Sequence, residues 1–481
     1  MKIVSYLVLT YPKNLMKKAF DIAFNQVQEE QGHINLELTG EVPDWIHGTF
    51  YRNGPGLLKT SSQSFKHWFD GLAMIHRFDI EKGKVSYQSK YIESNVKDSL
   101  LKYDTITFPE FATDPCDSIF KKLKSSFILS NPKVSIQDVH NHLIALGETR
   151  LQIEIDKDSL KTLGIHDYTD TSFSPAVTTA HPHVSDALLY NLVLSMGPLN
   201  FYKIIKYNIQ TKKTETICKV PIRKPAYIHS IGMSSNYFVI AHYPYTSNTI
   251  DFVIKNIPFI ENFKWRPGQQ VKFIIVSKKD GKVVHEIKTD PFFSFHFINT
   301  FEEDGTLVFD LVAYPDAGII DSFYLNNLSN LNEKLKDSEL LRFKFDLKSK
   351  TLQKFVITSQ SLELPKIDDR YLQKHYDHVY AVGVSAEGPK QFYDQLIKVN
   401  INSGAFSIWK DPEYYPGEPI FIPNKNSKSD DEGVLLSILI NIKDSTKGSK
   451  LLFLDAKSFT EMASCQINHT IMPGFHGCYI N

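Results

Sequence analysis

The chain has 481 residues, is 42% hydrophobic, and balances 54 lysines and arginines against 54 acidic residues, for a formal net charge of +0. That length allows a large buried core, and the even charge removes the electrostatic case for binding nucleic acid. The four cysteines (Cys116, Cys218, Cys465 and Cys478) are scattered; neither a disulfide framework nor a zinc site is expected, and a cytoplasmic location is the simpler reading.

At the N-terminus the apolar run Ile3 to Leu9 is too short to span a bilayer and lacks a convincing cleavage site. Residues 14–31 then place Leu15, Met16, Ala19, Phe20, Ala23 and Val27 at helical spacing. This predicts an arm over residues 1–40, packed against the body that follows. Beyond it one pattern recurs seven times: an apolar-alternating strand, a polar turn and a second alternating strand. The copies run from Ile75 to Tyr87, Leu151 to Gly164, Ile205 to Cys218, Phe273 to Ile287, Arg342 to Ile357, Leu396 to Lys410 and Leu451 to Cys465. The mean repeat is about 63 residues. Strand-rich repeats of this kind mark a propeller of four-stranded blades around a central channel. The reading is therefore all-β: a seven-bladed β-propeller over residues 41–481, with helical and loop elements capping one face. Between the first two hairpins, Asp114 to Ser130 carries Ile119, Phe120, Leu123 and Phe127 beside Lys121, Lys122 and Lys124. Such a basic amphipathic segment is either a surface helix or a membrane-surface element.

Four histidines lie in the gaps between hairpins: His181, His229, His296 and His476. Each is in the first segment after an outer hairpin, where a propeller chain enters the innermost strand of the next blade. They are therefore expected to face the channel. Glu363 and Glu418 hold the same relative place, whereas Glu148 breaks the pattern by directly preceding the second hairpin. Four converging neutral imidazoles suit a borderline divalent metal such as iron, copper, nickel or zinc. Each ligand ring needs its other nitrogen held by an acceptor, often a carboxylate, and three inward glutamates would supply that. A lone histidine is more often a surface or core residue; the shared position of four carries the metal reading. His183, His67 and His76 compete for the same role.

The motifs FYRNGPG (Phe50 to Gly56), HWFDGLAMIHRF (His67 to Phe78), AHPHVSD (Ala180 to Asp186), FHFINTFEEDG (Phe295 to Gly305), GEPIF (Gly417 to Phe421) and the terminal FHG (Phe475 to Gly477) resemble the carotenoid cleavage oxygenases from about Glu41 to Asn481. That resemblance implies a seven-bladed propeller with non-haem Fe(2+) on its axis. It implies His181, His229, His296 and His476 as iron ligands, and Glu148, Glu363 and Glu418 as carboxylates behind His229, His296 and His476 respectively. His181 would have no carboxylate partner, and His183 would be a non-ligating neighbour.

DPCDSIFKKL (Asp114 to Leu123) is similar to a motif of the animal-type branch, with Asp117 where a lysine is usual; FDLVAYPD (Phe309 to Asp316) and YLNNL (Tyr324 to Leu328) support the same branch. Cys116 matches a cysteine that can be lipidated there, and the segment after it is then expected to meet a membrane surface. The implied reaction is cleavage by O2 of a conjugated double bond in a carotene or apocarotenoid, giving two carbonyl products. The leading expectation is the central 15,15′ bond, yielding retinal. Off-centre cleavage and retinoid ester isomerohydrolysis are the enzymatic alternatives, a stilbene-cleaving oxygenase is a further one, and a non-enzymatic propeller scaffold is the alternative from another class. No feature points to a protein partner.

Overall fold

The structure is a computed structural model that describes residues 13–481 except 117, 119, 120, 122–128, 169–175, 331–333 and 387–389. Most of the Asp114 to Ser130 segment thus lies outside the described residues. Seven antiparallel sheets of four to six strands form the blades of a propeller. Each expected hairpin is found. It is Leu72–Glu81 with Lys84–Tyr91 in blade 1, Leu151–Ile155 with Thr162–Asp167 in blade 2, and Asn200–Asn208 with Lys213–Ile222 in blade 3. It is Val271–Ser277 with Val283–Thr289 in blade 4 and Glu339–Asp346 with Leu352–Thr358 in blade 5. Gln395–Asn400 with Phe406–Trp409 and Ser449–Asp455 with Thr460–Ile467 complete blades 6 and 7.

The chain ends close the ring twice. The last strand, Gly477–Ile480, pairs with Gly48–Leu57 as the innermost strand of blade 1. The N-terminal strand Leu38–Gly40 adds to the outer edge of blade 7, and Gln31–Leu36 adds to the outer edge of blade 1. Residues 31–40, expected as part of the arm, are therefore strands of the blades. The helix ahead of them, Lys13–Phe24, buries Ala19, Ile22, Ala23 and Phe24 against the body. Alternating apolar residues become the seams between blades. Phe273 of blade 4 meets Phe309 and Phe343 of blade 5 at ring-centroid distances of 4.8 and 5.0 Å, and all three are fully buried. Each such phenyl contributes about 1.5–3 kcal/mol through burial.

Alternating strand direction puts two sets of connections on one face. The entry into each innermost strand and the link between a blade's second and third strands share that face. The second links are 58–71, 147–150, 196–199, 243–270, 314–338 and 384–394 in blades 1 to 6. The longer ones carry short helices, including Thr249–Ile254, Gly318–Ser322 and Leu325–Ser329. They form the helical and loop cap expected on one face.

Candidate metal centre

The four histidines arrive from four blades. His229 lies shortly before Gly232–Met233 and His296 directly before Phe297–Glu303, the innermost strands of blades 4 and 5. His181 lies in a break between Ala176–Thr178 and His183–Ser185, both paired to the same strand of blade 3. His476 precedes the closing strand of blade 1. Two glycines let that last approach happen, since a Cβ on Gly54 would stand 2.5 Å from the Gly474 Cα. The His476 amide then donates to the Val134 carbonyl at 3.1 Å, and the Asn53 amide to the His476 carbonyl at 3.0 Å.

One ligand atom from each ring lies within 4.8 Å of the others. The His181 and His229 Nε2 atoms are 3.0 Å apart, and those of His296 and His476 are 3.2 Å apart. Behind three of the rings sits a carboxylate. The His229 Nδ1 donates to Glu148, the His296 Nδ1 to Glu363 and the His476 Nδ1 to Glu418, each at 2.6 Å. A proton held on Nδ1 leaves the Nε2 lone pair aimed at the common point. Burial, followed by the neighbouring imidazoles, holds the His181 pKa well below the ordinary range, and burial with His296 does the same for His476. Neutral rings with free Nε2 lone pairs are the ligand state of histidine. This donor set fits a divalent transition metal.

The three carboxylates are reached differently. Glu363 stands on Leu362–Lys366, the innermost strand of blade 6, whose register shifts between Glu363 and Lys366. Leu364 follows it at φ 51°, a left-handed conformation that a leucine adopts only when its surroundings enforce it. The bulge brings the Leu364 amide onto Glu363 at 2.5 Å. Glu418 lies in a break of the innermost strand of blade 7, and its second oxygen accepts from Arg52 Nη1 at 2.9 Å and from the Gly477 amide at 2.8 Å. Glu148 is off pattern because it belongs to the link between the second and third strands of blade 2. That link ends on the same face as the strand entries, so a different connection reaches the same hub. The Tyr227 hydroxyl donates to Glu148 at 2.9 Å, and burial beside that carboxylate raises the phenol well above its usual range.

The competitors are elsewhere. The His183 Nε2 is 2.8 Å from the Ile231 carbonyl oxygen, the His67 Nε2 is 2.9 Å from that of Ile320, and His76 pairs with the Tyr87 hydroxyl at 2.9 Å. Arg52 and Tyr227 received no role from the sequence. A charged residue inside an alternating strand was the available signal for Arg52, because a buried guanidinium requires a carboxylate.

A cavity of about 860 Å³ opens over the cluster, and His229, His296, His476, Glu148 and Glu363 contribute to its wall. Phe69, Phe111, Phe259, Phe295, Phe323 and Tyr393 line much of the remainder, supplied largely by the long links of the capping face. An apolar chamber of this size with a few placed polar groups is the usual form of a small-molecule site.

With this geometry in view, comparison with known proteins decides the family. Residues 24–481 match the family described as "Retinal pigment epithelial membrane protein". The chain belongs to this family, the carotenoid cleavage oxygenases. It is 32% identical to a carotenoid isomerooxygenase of Galleria mellonella, over 89% of each chain. It is 29% identical to a β,β-carotene 15,15′-dioxygenase of Homo sapiens, over 96% of this chain and 94% of that one. Among solved structures, a mutant of the Synechocystis apocarotenoid oxygenase superposes with a TM-score of 0.85 at 23% identity, covering 98% of this chain and 99% of the other. A cobalt-substituted form of that oxygenase gives 0.84 with the same identity and coverage. The propeller and the membership expected from the motifs both hold.

Proposed function

We propose that this protein is a non-haem Fe(2+) dioxygenase that splits a conjugated C=C bond of a carotene or apocarotenoid into two carbonyl products, at the central 15,15′ bond. The class, a carotenoid cleavage dioxygenase, follows from membership; the metal, the substrate and the bond are our reading. The observation that carries it is the cluster of His181, His229, His296 and His476, three of them backed by carboxylates at 2.6 Å, beneath an aromatic chamber. A 29% identical relative named for 15,15′ cleavage supports the choice of bond.

Held by the four imidazoles, iron would supply binding and activation of dioxygen. Glu148, Glu363 and Glu418 fix each partner ring to one tautomer and one orientation. Tyr227 and Arg52 in turn fix Glu148 and Glu418. The aromatic lining excludes water and holds a polyene along the wall that contains His229, His296 and His476, so position in the chamber selects the bond. One O2 is consumed, the C=C bond is broken, and each new carbonyl carries one oxygen atom; no outside reductant is needed.

Uptake of substrate from a membrane surface is part of this reading. Leu199, Ile250 and Ile254 are 72%, 64% and 61% exposed, and they sit beside cavity residues Pro198, Thr249 and Phe252. Among the described residues no helix is long and apolar enough to cross a membrane.

The test is oxygen uptake by iron-loaded protein given β-carotene, with product analysis. The reading expects one O2 per polyene and retinal as product. Apocarotenals of unequal length would move the bond off centre. Isomerisation of a retinyl ester without oxygen uptake would replace the reading with isomerohydrolysis.

A further inference from the structure

One part of the chamber wall is built for something other than hydrocarbon. Glu110 and Lys133 line the cavity together with Asn131, and they are 7%, 6% and 5% exposed. The Lys133 ammonium bonds Glu110 Oε2 and also donates to the Asp70 carbonyl at 3.3 Å. Asn131 Nδ2 donates to Glu110 Oε1 at 2.8 Å, while its own Oδ1 accepts the Ala73 amide at 2.9 Å.

The cluster is braced from behind. The Asp70 carboxylate accepts the Ala112 amide at 2.8 Å and the Thr113 hydroxyl at 2.7 Å, which ties residues 110–113 to the wall. On the other side, Asn53 donates to the carbonyls of Pro132 and Ser135 at 2.7 and 2.8 Å. Val134, next to Lys133, holds the His476 amide through its carbonyl. The pair is thus rigidly connected to the strand that delivers a metal ligand.

A buried ion pair facing a largely apolar chamber is costly unless its remaining hydrogen-bonding capacity is used. An ammonium has three N–H donors, and two are engaged here among the described residues; a carboxylate has about four acceptor sites, and Glu110 uses two with described partners. What is left over is one donor beside acceptor positions, on a pair whose charges cancel. That pattern matches a neutral oxygen better than a carboxylate, and it matches nothing on a hydrocarbon. Burial also raises the Glu110 carboxyl to about 7, with Lys133 acting against that shift.

We infer that Lys133 and Glu110 form a recognition point for a neutral oxygen function on the polyene, a hydroxyl or a carbonyl, so that oxygenated carotenoids or apocarotenals are preferred over hydrocarbon carotenes. This rests on the proposed function and narrows its substrate class. A hydroxyl both accepts from Lys133 and donates to Glu110; a carbonyl accepts from Lys133 alone.

The experiment compares iron-loaded wild type with the Glu110→Gln/Lys133→Met double variant, which removes both charges together. Values of kcat/KM are measured for β-carotene, a ring-hydroxylated carotenoid and an apocarotenal. The wild type is expected to favour an oxygenated substrate. The ratio of that substrate to β-carotene should fall about tenfold or more in the variant, as for a site built to bond a substrate oxygen. A fall confined to the hydroxylated carotenoid assigns the hydroxyl, and one confined to the apocarotenal assigns the carbonyl. A proportionate fall on all three makes the pair a structural brace and overturns the inference. A wild type that treats all three alike overturns it without any variant. Quenching of tryptophan fluorescence by the same polyenes, with Trp68 in the wall, reads binding apart from turnover. Oxygenated polyenes that bind more tightly but are not cleaved would sink the proposed reaction and leave this inference standing.

Discussion

His476 and His181 belong to one cluster but not to one environment. His476 is held from behind by Glu418, and Glu418 by Arg52 and the Gly477 amide. The chain of restraint runs from the metal point into the closing strand of the ring. His181 has no carboxylate behind it among the described residues, sits in a break of its strand, and is not part of the cavity wall. The difference teaches that the centre is asymmetric: three rings are oriented by carboxylates of the scaffold, and the fourth is not. His229, His296 and their glutamates belong with His476.

The sharpest way to break this comparison is to delete a braced ring. His229→Ala should abolish activity and lower metal content, measured by turnover and metal analysis on the same sample; unchanged activity would remove His229 from the ligand set. Next in size is loss of a brace. Glu363→Gln should keep the fold and weaken metal affinity or rate about 10- to 100-fold, read by metal titration. Glu418→Gln should do the same and also destabilise the protein by about 3 kcal/mol, because Arg52 loses its counter-charge; urea unfolding measures that part.

Histidines buried away from the hub carry a pH response of their own. Burial lowers His67 to about 4 and His76 to about 3. Folded, they stay neutral; unfolded, they titrate near the ordinary imidazole value of 6.5. Their contribution to stability is complete above about pH 6.5 and is lost as pH falls, towards 4 for His67 and towards 3 for His76, about 3 kcal/mol for His67 alone. Urea midpoints of the metal-free protein should therefore drop across that window, and His67→Gln should flatten the drop. The smallest effect belongs to Tyr227→Phe. It removes one hydrogen bond to Glu148, worth about 1 kcal/mol, and should weaken metal binding about fivefold.

Period-two alternation was strong enough to reveal all seven outer hairpins, because each strand keeps one face in a seam between blades. The place of His229, His296 and Glu363 followed from that, since strand entries repeat with the blades. Glu148 did not follow, because it reaches the hub through a different connection. Tyr227 and the Glu110–Lys133 pair were illegible for a related reason. Their partners are brought near by links of irregular length, and no period in the sequence encodes where such links fold back. The strands at residues 31–40 were missed because a lone edge strand carries too few alternations to stand out.

The central claim is that four remote imidazoles hold one metal ion. X-ray diffraction from crystals of iron-loaded protein, with data collected on both sides of the iron absorption edge, tests it most directly. The account predicts one anomalous peak per chain, in contact with His181, His229, His296 and His476. A peak at another place, or no peak in protein that cleaves a carotenoid, would contradict it.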